Sequence, residues 1–348
     1  MTLGRSTLLR ASLGIAISVI AGWVLLRSVD IGAAIEILST ANPAFIGLMI
    51  VTMLVDVGAR AARWRWLLRP IKLVRYPRML GYTYLGYLAN NVLPARLGEL
   101  FRSHAAGEGE GISRTTVLGT VVVERVVDTV IVVGLGALAV VVLSVRGIMS
   151  SAVLLGAAFV ALLIVGLALG MALHRLPGAD RVTAFVERWP KVVELARRLR
   201  EGLAVAAKPA TLIGALAFSA VAWSASIVSF LAAGQALGIE LTVAQAALVT
   251  SGVALAMIVP SGPGNLGTFE LTAVAIMASF GVDRDSAFAV ALLVHAIQLL
   301  VTSVGGVIAA LRLRVGLGIG SLDTSEPSDE TAGAAPPAEG EPSAPATR

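Results

Sequence analysis

The sequence contains no cysteine, so disulfides and thiolate metal sites are excluded and the redox compartment leaves no mark on it. Only three histidines occur, His104, His174 and His295, and no metal-ligand spacing links them. Charge is scarce as well. Asp, Glu, Lys and Arg make up 14% of the 348 residues, against roughly 25% in ordinary soluble domains. No P-loop, HExxH or GxSxG is present, and the acidic Gly107-Glu108-Gly109-Glu110-Gly111 reads as a flexible turn that follows no strand and cannot cradle phosphate. No metal, cofactor, nucleic acid or enzymatic activity is expected from these features.

What is abundant is apolar. Hydrophobic residues reach 57% and the mean hydropathy is +0.86, which marks an integral membrane protein. The apolar residues come in long runs rather than in short alternating segments, so the expected spans are helices and not barrel strands. The net charge of +5 fits cytoplasmic loops better than a nucleic-acid partner.

Six runs are long enough to cross: 8–29, Pro43–Leu68, Thr115–Val145, 150–173, Pro209–Leu237 and Ser286–Leu311. The first exceeds a signal-peptide core and reads as a retained span with its N-terminus in the cytoplasm. Between the first two lies a short amphipathic connector, Asp30–Asn42, with Ile31, Ile35 and Leu38 on one helical face. Arg60, Arg63, Arg65, Arg69, Lys72, Arg75 and Arg78, with Trp64 and Trp66 among them, read as a cytoplasmic anchor or an anionic-headgroup patch. Residues 174–208 form a basic amphipathic segment, also placed in the cytoplasm. Residues 318–348 are rich in Pro, Ala, Gly, Ser, Glu and Thr and are expected to be disordered.

Two stretches break this pattern. One is Asn90-Asn91-Val92-Leu93-Pro94-Ala95-Arg96-Leu97-Gly98-Glu99-Leu100-Phe101-Arg102. The other is Pro260-Ser261-Gly262-Pro263-Gly264-Asn265-Leu266-Gly267-Thr268-Phe269-Glu270. Each joins apolar runs too short to span, since a span needs roughly 20 residues. Treating both as re-entrant hairpins puts every basic segment inside. The expected architecture is therefore an all-α polytopic membrane protein over 1–315, with about six full spans and two hairpins in an inverted repeat. Secondary transporters place their substrate sites at such broken helices.

The candidate site residues follow. Arg96, Glu99 and Arg102 recur at every third position and share a face after Pro94. Glu124, Arg125 and Asp128 form a second charged group, with Glu124 and Asp128 one turn apart. These six either lock the fold as internal ion pairs or supply an Arg fork for a phosphate. Asn90 and Asn91 either cap the broken helix or bind a headgroup. Gly264 and Gly267 either make the turn or form an anion nest. Glu270 either pairs with a first-hairpin Arg or takes up a proton. His295 shares a face with Gln298 and is either a packed hydrogen-bonded residue or a proton relay. One geometric expectation is explicit: Arg96 and Glu270 are near neighbours across one polar cavity.

Three motifs occur in order: Asn90-Asn91-x-x-Pro94-x-Arg96-x-Gly98-Glu99-x-x-Arg102, Glu124-Arg125-x-x-Asp128, and Pro260-x-x-Pro263-Gly264-x-Leu266-Gly267-x-Phe269-Glu270. Together they resemble the lysylphosphatidylglycerol synthase transmembrane-region family, also called flippase-like, over about residues 8–315. The resemblance implies a prokaryotic inner-membrane protein with a region that flips a modified phospholipid to the outer leaflet. Nothing here resembles the soluble aminoacyl-transferase domain of the best-known members, so lysyl transfer is not implied. His295 stands where many relatives are expected to carry Arg. The function this suggests is movement of an anionic, modified or polyprenyl-linked lipid between leaflets. A non-transporting accessory subunit of a lipid synthase or glycosyltransferase is the alternative, and a proton-coupled carrier of small solutes is a third.

Overall fold

Why the chain breaks where it does is visible at the helix ends. In the computed structural model the described residues are 16, 18–93, 97–144, 158, 202–258 and 261–314. They lie within one compact unit, 2–316. Helix α1 (Ser18–Leu26) bends by 84° into α2 (Ile31–Ser39), where Asp30 caps the amides of Gly32 and Ala33. Pro43 opens α3 (Pro43–Leu68) behind an Asn42 cap, as suits a residue with no N–H to lose at the first turn. There follow α4 (Tyr76–Val92), α5 (Gly98–Glu110) and α6 (Arg114–Val142). After the gap come α7 (Pro209–Ala236), α8 (Val243–Ala256), α9 (Thr268–Ser279) and α10 (Arg284–Leu313). Thr242 and Gln245 close a reciprocal capping box on α8, and Asp283 caps α10.

Among the described residues, α3, α6, α7 and α10 are long and apolar enough to cross a membrane, and the bent α1–α2 pair makes a fifth if counted as one span. The expected span 150–173, most of the segment 174–208 and the tail 318–348 lie outside the described residues.

Helices α4 and α5 form an antiparallel hairpin. At its tip the amide of Gly98 donates to Asn90 Oδ1 (2.7 Å), and at its base Tyr82 donates to Glu110. Gly98 is obligatory here, because a Cβ would meet the Gly86 carbonyl oxygen at 2.1 Å. Helices α8 and α9 pack as a second hairpin through the turn 261–267. The two halves, α3–α4–α5–α6 and α7–α8–α9–α10, make reciprocal contacts. The first hairpin's α4 packs on α10, the second hairpin's α8 packs on α6, and α3 packs on α7. That exchange is the pattern of a twofold-related repeat.

Helix α10 gives the directions. Its C-terminal end lies at the base of the first hairpin, where Leu313 approaches Gly81, and its N-terminal end follows the base of the second. Midway along, Thr302 accepts from Asn91 Nδ2 (2.9 Å) and His295 contacts the Gly264 carbonyl (2.8 Å). Thirty residues make a helix of about 45 Å, so the two tips meet near its centre from opposite ends.

Two expectations need correction. The segment Gly107–Glu110 is helical rather than a turn. Its glycines let α5 close on its neighbours, since a Cβ at Gly109 would strike Tyr82 Oη and one at Gly107 would crowd Ile112 and Arg114. Only Gly111 leaves the helix, as a left-handed C-cap. The basic patch is also not one surface. Arg60, Arg63 and Trp64 are buried in the bundle, while Arg65 and Arg69 remain near the helix end. An amphipathic α3 turns the first group inward, where carboxylates await it.

Candidate functional site

The antiparallel α3–α7 pair builds one wall of the site. Along α3, Asp56, Arg60 and Arg63 recur on one face and meet, in reverse order on α7, Ser226, Trp223 and Ser219. Ser226 donates to Asp56 (3.2 Å), the Arg60 guanidinium lies 4.6 Å over the Trp223 ring, and Arg63 donates to Ser219 (2.6 Å). Helix α6 brings Glu124, Arg125 and Asp128 against this face, and α5 brings Glu99 and Arg102.

The result is a network of ion pairs. Glu124 accepts from Arg102 (2.8 Å), Arg125 (2.8 Å) and Arg63 (3.0 Å). Asp128 is gripped by Arg63 and also approached by Arg60 (3.4 Å), Arg125 (3.5 Å) and the Trp223 indole (3.0 Å). Arg60 holds Asp56 at 2.9 Å, and Arg102 lies 4.6 Å over the Trp64 ring. Four arginines (60, 63, 102, 125) thus face four carboxylates (56, 99, 124, 128), and their formal charges cancel. Cancellation is what makes the burial tolerable, because an unpaired charge at membrane depth is expensive.

The members are not held equally. Arg63 and Glu124 are fully enclosed. Arg125 is 45% exposed along its side chain, and its link to Glu99 is the longest in the network at 3.9 Å. These two are the most exposed members of the network.

The network opens on a cavity of about 420 Å³. Asp56, Arg60, Glu99, Arg102, Arg125 and Asp128 line its charged side, with Tyr87, Asn90, Trp223 and Gln298 beside them. Val253, Leu255, Met257, Ile258 and Phe269 of the second hairpin, with Val294 and Ile297 of α10, supply apolar lining. Ile258 among them is 45% exposed.

The sequence-derived candidates divide in two. Asn90, Glu99, Arg102, Arg125 and Asp128 line the cavity, and Glu124 lies beneath them. Asn91 turns away to Thr302 and Ser303. Glu270 and His295 are buried behind Phe269, whose ring stacks on the imidazole at 4.3 Å. Arg96 lies outside the described residues, and with it the expected approach to Glu270. Among the described residues, the partners of the Glu270 side chain are His295 Nδ1 (2.5 Å) and the amide of Gly267 (2.8 Å). In the turn, the Gly262 amide donates to Ser18 of α1, the Asn265 amide to the Gly262 carbonyl and the Gly267 amide to Glu270. Asp56 was not among the candidates, and Arg60 and Arg63 were read only as members of the basic patch. A carboxylate inside an apolar run, followed by Arg at the fourth and seventh positions, was the signal for them.

Long apolar helices, two hairpins with touching tips and a buried ion network around a cavity define a multi-pass membrane protein of the broken-helix type. The chain belongs to the lysylphosphatidylglycerol synthase TM region family, whose model matches residues 12–306. It is also similar to the glycosyltransferase AglD of Haloferax volcanii, 28% identical over 353 residues, which cover 91% of this chain and 56% of that protein. The chain therefore spans little more than half the length of that curated relative.

Proposed function

We propose that the protein moves a lipid with a phosphate-bearing headgroup, whether an anionic or modified phospholipid or a polyprenyl-linked lipid, between the leaflets of its membrane. One observation carries this: a cavity lined by both charged and apolar side chains from the two hairpins and their neighbours. An amphiphile has the same division. Its headgroup suits the side chains of Arg60, Arg102 and Arg125, and its chain suits the apolar lining around Ile258. The phosphate enters by exchange. Arg125 turns its guanidinium fork from Glu99 to the headgroup, and the tighter Arg63–Glu124–Arg102 core stays in place.

The same reading treats both hairpins as re-entrant and counts six full spans, including 150–173. Arg65, Arg69, Lys72 and Arg75 lie near the first hairpin's base and Arg312 at the nearby end of α10, so that side is cytoplasmic and both termini with it. The membrane is a prokaryotic plasma membrane.

The test is a leaflet-resolved lipid assay on the purified protein in vesicles. Wild type is expected to move lipid, and Arg125→Gln to slow it tenfold or more, about 1.4 kcal/mol of barrier. Wild-type rates from both Arg125→Gln and Glu99→Gln would overturn the site. The relative's name favours a second reading, an accessory part serving a glycosyltransferase. Stable capture of such an enzyme, with no lipid movement by the pure protein, is its signature.

A further inference from the structure

Behind the cavity, separate from the ion network, lies a second ionisable pair. Glu270 and His295 are 3% and 1% exposed. Their hydrogen bonds form a chain around the tip of the second hairpin. The Gly267 amide donates to Glu270 Oε2 (2.8 Å), Glu270 Oε1 lies 2.5 Å from His295 Nδ1, and His295 Nε2 lies 2.8 Å from the Gly264 carbonyl oxygen.

Counting protons decides the state of this chain. A carbonyl oxygen can only accept, so Nε2 carries a hydrogen. The contact between Oε1 and Nδ1 then needs one proton of its own. It is either imidazolium with carboxylate or imidazole with carboxylic acid, and the pair is neutral in both forms. Removing that proton leaves a net negative charge and two lone pairs face to face at 2.5 Å. If the ring instead keeps its hydrogen on Nδ1, the bond to Gly264 is lost. One of the two links must fail.

Among the described residues the surroundings offer no substitute charge. Helices α1, α7 and α8, as described, carry no ionisable side chain, and Glu270 is alone on α9. On α10 the other charged groups, Arg284, Asp285 and Arg312, stand near its ends. Glu36 of α2 and Arg78 of α4 are distant along their helices. Asp56 and Arg60 of α3, with Tyr87, Glu99, Arg102, Arg125 and Asp128, line the cavity that Phe269 also lines, and none of them is a hydrogen-bond partner of Glu270 or His295.

We propose that Glu270 and His295 form a proton-binding site that fastens the tip of the second hairpin to α10, so that losing one proton releases Gly264 and frees the hairpin. The consequence for transport, hairpin movement coupled to a proton, rests on the lipid-translocation reading; the site itself does not.

The absence of cysteine makes a clean test available. Leu266 in the tip and Val304 on α10 are 54% and 51% exposed. Leu266→Cys and Val304→Cys together carry two spin labels on a chain with no competing thiol. Their separation is read by pulsed dipolar spectroscopy in vesicles of phosphatidylglycerol and phosphatidylcholine, from about pH 5 to about pH 8. One short distance is expected at low pH. A longer population should grow on raising the pH, following a single-proton curve. Glu270→Gln keeps a neutral donor to Nδ1 and should hold the short distance at every pH. His295→Arg, a permanent cation, should do the same. A wild-type separation that ignores pH overturns the proposal, as does a Glu270→Gln variant that titrates like wild type. Should a variant fail to fold, the wild-type titration alone decides. A pH-dependent distance without lipid movement upholds the proton site and sinks the transport reading, whereas lipid movement with a fixed distance does the reverse.

Discussion

The main chain of Asn91 lies against Gly264, so the two hairpins touch at their tips. A Cβ added to Gly264 would sit 3.8 Å from the Asn91 carbonyl oxygen and 3.4 Å from Leu299. Gly264 also has a φ of +64°, which costs an L residue about 1–2 kcal/mol. Gly264→Val is therefore expected to part the tips, lower the unfolding midpoint modestly and abolish lipid movement. Thermal unfolding in detergent and the vesicle assay check the two effects separately.

Arg63 and Glu99 lie at opposite extremes of the ion network. Arg63 is enclosed between Glu124 and Asp128. Arg63→Met leaves buried carboxylates short of a partner and should cost about 3–5 kcal/mol. Glu99 is partly exposed and holds Arg125 at 3.9 Å, so Glu99→Gln should cost less than about 1 kcal/mol while changing the transport rate. Denaturation midpoints of the two variants should differ in that order.

Glycines on the α4–α10 seam are expected to resist enlargement. A Cβ on Gly306 would meet Leu88 Cβ at 2.4 Å and the Tyr84 carbonyl at 3.0 Å. Gly306→Leu should destabilise by at least the about 1–3 kcal/mol typical of overpacking. Gly47 on α3 has nothing within 4 Å, and Gly47→Ala should be neutral or stabilising by up to about 1 kcal/mol. Thermal midpoints of the purified variants decide both.

Opposed hairpins predict sided chemistry. Leu73, beside the first hairpin's base, and Val243, at the second's, are 63% and 65% exposed. In oriented vesicles a membrane-impermeant thiol reagent should reach Leu73→Cys from one side only and Val243→Cys from the other. Labelling of both from one side would contradict the inverted arrangement.

Much of the frame was legible in the sequence because lipid imposes coarse rules. A helix such as Pro43–Leu68 announces itself by length, its opening proline and its Asn42 cap. The hairpins announced themselves by apolar runs too short to cross. What composition could not supply was which way a charged side chain points. Arg60 and Arg63 sit among surface arginines in the chain, and only the rotation of α3 against α7 separates them. Glu270 was likewise legible as a buried carboxylate, but its partner depended on where α10 crosses the turn. His295 lies behind the cavity wall for the same reason. Phe269, adjacent to Glu270 in sequence, points the other way and forms the wall.

A lipid headgroup is expected to occupy the cavity between the hairpin tips. A phospholipid with a photoactivatable headgroup, incorporated into vesicles with the protein and cross-linked by light, tests this by mapping the modified residues with mass spectrometry. Adducts on Tyr87, Trp223 and Gln298 are the expected result. Adducts confined to outward-facing residues such as Leu54 and Val141 would contradict it.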